Sequence, residues 1–127
     1  MKKLIFLTAI MLLVTFSGIS QNYHKVSKSA GGIWNEATKD YDWGPLNDVN
    51  MTVITKGNII LVDDGANSVY MTFDVLPLKP KKDVRKQTAW KAIDEKDRKC
   101  IVKLVQYIDY QILYIIYPGI VIEYLFD

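Results

Sequence analysis

Apolar and polar residues alternate in short runs along this chain from about residue 50 onward, and turn-forming residues separate the runs. Met51 to Thr55 is largely β-branched, Lys56-Gly57-Asn58 interrupts it, and Ile59 to Val62 resumes the apolar run. A short Gly-containing connection between two such runs predicts a hairpin. Asp63-Asp64-Gly65-Ala66-Asn67 predicts a second turn. Beyond it, Val69, Met71 and Phe73 share one face, while Ser68, Tyr70, Thr72 and Asp74 share the other. A period of two is that of a half-buried antiparallel strand.

Prolines and clustered Lys and Arg break the pattern from Pro77 to Lys86, which reads as a solvated loop or edge. Thr88 to Ile93 and Cys100 to Tyr107 then flank the charged connection Asp94 to Lys99, and predict another hairpin. The rival is a helix over Asp83 to Arg98, but Val84, Ala89, Trp90, Ala92 and Ile93 are poorly spaced for one helical face. Asp109 to Tyr117 and Ile120 to Phe126, joined at Pro118-Gly119, are the last two predicted strands. The first is apolar at both parities, as in a strand covered on both sides. Upstream, Gly32 to Trp43 predicts a hairpin with Trp34 facing Tyr41 or Trp43 across Glu36 to Lys39.

The N-terminus follows a different rule. Lys2 and Lys3 precede an apolar run from Leu4 to Phe16, then Ser17-Gly18-Ile19-Ser20. These are the charged, apolar and small-residue regions of a secretory signal peptide, with cleavage expected after Ser20. The run is shorter than the ~20 apolar residues of a membrane-spanning helix. Residues 1–20 are therefore the expected signal, and 21–127 a single all-β domain of ordinary size. The mature chain is expected in the periplasm or outside the cell, neither membrane-spanning nor lipid-anchored, since Gln21 rather than Cys follows the cleavage site.

Export changes the charge picture. The chain has 16 basic and 14 acidic residues, and Lys2 and Lys3 leave with the signal. The mature domain is neutral overall, so its partner is not expected to be nucleic acid. Positive charge gathers instead between Lys79 and Lys103. The single cysteine, Cys100, permits no internal disulfide.

Chemistry has few places to live. The only histidine is His24, near the mature terminus, and no Gly-x-Ser-x-Gly elbow is present. Cys100 lies in an apolar run and reads as an inert buried thiol. Zinc would need about four His, Cys or acidic ligands, and neither a metal nor a cofactor is expected. Calcium at Asp63 to Asn67 yields to a plain turn. Paired carboxylates for glycoside hydrolysis would come from Glu36, Asp40, Asp42, Asp63, Asp64, Glu95 and Glu123, which no spacing brings together.

Two segments are candidate binding sites. Trp34, Tyr41 and Trp43, beside carboxylates and amides, suit stacking on sugar rings, or else hold their own hairpin together. Lys79, Lys81, Lys82, Arg85 and Lys86 suit an anionic surface, or else protect a sheet edge. Tyr107, Tyr110, Tyr114, Tyr117 and Tyr124 would line any cavity in a barrel mouth.

These residues predict an all-β antiparallel meander of about seven to nine short strands, closing into a barrel or folding into a sandwich. The expected role is a non-enzymatic binding or structural module acting on an envelope protein or polysaccharide. The alternative is a β-barrel carrying a small ligand; a carboxylate-based glycan hydrolase ranks third. A packed interior would favour the first, an internal cavity the second.

Overall fold

A computed structural model describes residues 22–63 and 67–126, and every regular element among them is a strand. The expected signal peptide and its cleavage site lie outside the described residues, as do Asp64, Gly65 and Ala66. The strands are β1 (Asn22–Asn35), β2 (Asp40–Trp43), β3 (Asn47–Lys56), β4 (Ile59–Asp63), β5 (Ser68–Leu76), β6 (Lys86–Asp94), β7 (Lys99–Gln106), β8 (Gln111–Tyr117) and β9 (Ile120–Phe126). Each predicted hairpin forms. The 83–98 segment carries β6 and the charged turn rather than a helix: Lys86–Asp94 is strand, paired with β5 on one side and β7 on the other.

Every pairing is antiparallel, and β9 returns to β1, closing eight strands into a barrel. The ninth, β2, is the extra strand. Gly32 and Ile33 pair with β2 on one edge of β1 and with β9 on the other. Lys28 and Ser29 pair likewise with β3 and β9. So β2 and β3 lie end to end along the same edge of β1, broken at Gly44-Pro45-Leu46. Pro45 lacks an amide N–H and suits such a break, which Gly44 bridges by donating to the Gly31 carbonyl at 2.7 Å. The sandwich alternative is therefore excluded; closure leaves no edge along the β1–β9 seam.

Each of the eight barrel strands sends a side chain into one continuous core: Val26, Val53, Val62, Tyr70, Ala92, Val102, Ile115 and Tyr124. Parity sets the rest. In β5 the inward face is the one with Tyr70 and Thr72, and the more apolar face looks out. Outward Val69 and Met71 cluster with Ile59, Leu61 and Ile93. A bulge at Phe73 then breaks the alternation, leaving that ring 58% exposed.

The described turns at one end of the barrel are 36–39, 95–98 and 118–119. The other end holds the turn at 57–58, the loop 77–85 and the turn at 107–110. Pro118 and Gly119 stand in the order that a type II turn requires, proline fixing the first central φ and glycine supplying the positive one, +83°. That turn fixes the β8–β9 register, Tyr117 opposite Ile120.

Candidate functional site

The barrel's outer wall over β6–β9 is where chemistry-bearing residues collect. One line of register crosses six strands there: Trp43, Gly32, Val121, Ile116, Ile101 and Lys91. Gly32 is the position that shapes it. A methyl group there would meet Val121 Cγ1 at 3.0 Å and the Trp43 ring at 3.2 Å, inside the ~3.5–4.0 Å of ordinary carbon contact. Without a side chain at Gly32, the Trp43 ring lies across the β1 backbone onto β9. It reaches Tyr114 on β8, ring centroids 6.4 Å apart.

The predicted aromatic segment builds the overhang above this wall. Trp34 pairs with Tyr41 across the β1–β2 hairpin, their rings edge-on at 5.2 Å, and Tyr41 leads to Trp43 at 6.0 Å. Local polar contacts hold the hairpin. Trp34 Nε1 donates to Glu36 at 2.7 Å, and Asn35 Nδ2 donates to Asp42 at 3.0 Å. Lys39 pairs with Glu36. The Lys39 ammonium first, and then the Trp34 N–H, hold the Glu36 carboxyl below its usual range.

The basic segment approaches the same wall from the other end of the barrel. Gln87 Nε2 donates to the Lys79 carbonyl, Val84 N–H donates to the Lys81 carbonyl, and Arg85 N–H to that of Gln106. These contacts fold the loop back over β6 and β7. Lys81 thereby lines the same cavity as Tyr41 and Trp43.

The result is a groove in two parts that share Tyr41 and Ile116. The larger, about 620 Å³, runs between the hairpin and the wall, with Trp34, Phe73, Ile101 and Pro118 as apolar lining and Lys91 and Lys99 as cations. The smaller, about 200 Å³, is bounded by Trp43, Tyr114, Lys103, Gln87 and Lys81. Burial, and then the charge of Lys81, lowers the pKa of Lys103. Burial raises Tyr114 to about 12, so its hydroxyl keeps its proton at neutral pH.

Of the predicted site residues, Trp34, Tyr41, Trp43 and Lys81 come together. Lys79, Lys82 and Lys86 line neither part of the groove. Arg85 faces a separate hollow with Tyr107 and Tyr110. The tyrosine series divides: Tyr107 and Tyr114 line the smaller part, Tyr117 lines the larger and donates its hydroxyl to Asp94, Tyr110 faces the separate hollow, and Tyr124 is buried in the core. Lys103, Gln87, Phe73, Ile101 and Ile116 were not singled out from sequence. The available signal was the two-faced apolar β8, whose outer side faces this groove.

The remaining reactive side chains are held in structural contacts. Asp94 is fully buried yet saturated. Its carboxylate accepts from Lys96 N, Arg98 N, Arg98 Nε and Tyr117 Oη at 2.7–2.9 Å. Burial pushes its pKa up, but these hydrogen bonds outweigh that and hold it low. Burial first, and then the Asp94 charge, push Cys100 up to about 12. His24 sits against Phe126, ring centroids 4.8 Å apart, and burial lowers its pKa. Among the described residues no cluster of His, Cys, Asp and Glu could hold a metal ion.

A scan of protein-family models finds no match for this chain, and neither do searches of the curated proteins and of the solved structures.

Proposed function

We propose that this chain is an exported, non-enzymatic binding module whose working surface is the groove on the outer wall. The observation that carries the reading is the convergence of the aromatic hairpin and Lys81, about forty residues apart in sequence, on one cavity. Side chains that serve only their own hairpin or loop have no reason to meet. A groove of about 620 Å³ with apolar lining and cations at its margin falls in the size range of specific binding sites.

The carrier alternative places its ligand inside the barrel. Interior positions on all eight barrel strands instead form one buried cluster, and Val26, Val62, Val102 and Ile115 have no exposed surface. The third reading, a hydrolase, needs two facing carboxylates; the groove's named lining is apolar, amide and cationic. The outer wall also bears Lys91, Lys103 and Glu123 on central strands, where a lipid-facing barrel carries an apolar band. Among the described residues no helix is long and apolar enough to cross a membrane. The expected partner is an envelope or extracellular polysaccharide or protein.

Photo-cross-linking in the producing cell tests this reading. A benzophenone side chain replacing Ile101, in the groove, is expected to trap a discrete partner; the same group replacing Lys25, on the β1 outer face, is not. The same adducts from both positions, or none from Ile101, would contradict it.

A further inference from the structure

The smaller part of the groove has a composition that the larger lacks. Lys81 and Lys103 both line it, and among the described residues neither ammonium has a carboxylate within ion-pair distance. Two acids stand near the pocket without an ion pair to either lysine: Asp83 on the loop, and Glu123, separated from Lys103 by Tyr114. Two strand spacings put Glu123 roughly 10 Å away. Two like charges brought together without a counter-ion form a site that an anion would stabilise. Lys103 is held further by the face of Tyr114, its Nζ 6.0 Å from the ring centroid.

Gln87 lines the pocket as well. Its amide nitrogen is committed to the Lys79 carbonyl, which fixes the amide's orientation, and its Oε1 is buried with no donor among the described residues. Around these groups stand the rings of Tyr41, Trp43 and Tyr114. The volume, about 200 Å³, equals the share of roughly seven waters in the liquid, enough for one substituted ring.

We infer that this cavity binds a carboxylated sugar ring, a uronic acid residue of an acidic polysaccharide. The carboxylate answers Lys81 and Lys103, and the sugar's apolar face lies on the rings of Tyr41, Trp43 and Tyr114. The inference rests on the outer groove being the binding surface and names what it takes. An aliphatic carboxylate would satisfy the lysines but offer the aromatic rings no ring face to stack on.

The test is a titration of the mature protein with trigalacturonate, followed by tryptophan fluorescence, beside its fully methyl-esterified form. Saturable binding of the acid is expected, with the neutral ester weaker by about tenfold, the order of one charge-assisted contact. Lys81→Gln and Lys103→Gln should each weaken the acid by a similar factor, and Lys82→Gln, on the same loop, should not. Lys81 is on an exposed loop, so its variant keeps the test valid should Lys103→Gln fail to fold. Equal binding of acid and ester, no loss in either groove variant, or preference for an acidic tyrosine-containing peptide would overturn the assignment. A partner trapped from Ile101 together with no trigalacturonate binding would overturn this inference alone and leave the proposed surface standing.

Discussion

Asp94 shows how one residue can look reactive and be structural. A buried carboxylate is costly unless its lone pairs are filled, and here four donors fill them. Replacement by Asn turns one acceptor into a donor facing Tyr117 or Arg98. Asp94→Asn should cost about 1–3 kcal/mol in urea unfolding at pH 7. The pH dependence follows from the lowered carboxyl pKa. The unfolded Asp takes its proton near pH ~3.9, so the wild-type advantage is complete above that and is lost as pH falls through the lower folded value. The gap between wild type and Asp94→Asn should therefore narrow steadily below about pH 4; a constant gap down to pH 2 would contradict it. Cys100, almost fully buried at the edge of the larger groove and pushed up to about 12, should react with a thiol reagent at pH 8 far more slowly than a free cysteine. Prompt labelling in the native state would show that the thiol is not enclosed.

At the scale of elements, the β1–β2 hairpin depends on an absence. Gly32→Val would place methyl groups where Trp43 and Val121 now meet. The expected cost is about 1–3 kcal/mol, with Trp43 displaced from Tyr114 and a red-shifted indole emission; unchanged emission and stability would refute the packing described here. The hairpin itself was legible in sequence, because Trp34 and Tyr41 are seven residues apart and their partner choice is set by a local turn. The two-faced apolar pattern of β8 was legible too; its outer face is only half-covered, by Trp43 against Tyr114, and the rest lines the groove. What local pattern could not show was the orientation of β5. Tyr70 is more polar than Val69, yet it turns inward at the barrel end that holds Tyr117 and Asp94, while Val69 finds apolar neighbours on the outer face.

Closure and the site belong to the whole molecule. The seam between β1 and β9 joins residues 87 to 100 positions apart, as where Ser29 Oγ donates to the Glu123 carbonyl at 2.9 Å. Nothing local signals that contact, which is why barrel and sandwich stayed open from sequence. The meeting of Lys81 with Tyr41 and Trp43 is long-range in the same sense. Lys103, a lone charge amid Ile101, Val102, Leu104 and Val105, had no recognisable role until Tyr114 and the loop were placed beside it. The packed interior carries its own prediction. Ile115 is fully buried on a central strand, so Ile115→Ala should lower stability by about 2–5 kcal/mol. A much smaller loss would mean space inside the barrel and would revive the carrier reading.

The central claim is that position in the groove, and not the basic segment's charge as such, creates the binding surface. Retention of the barrel domain, residues 21–127, on an immobilised acidic polysaccharide at rising salt tests it most directly, comparing Lys81→Glu with Lys82→Glu. Both change net charge equally and stand side by side in one loop, but only Lys81 lines the cavity with Tyr41 and Trp43. Lys81→Glu should elute at much lower salt than wild type, and Lys82→Glu close to it. Identical elution of the two variants would contradict the account.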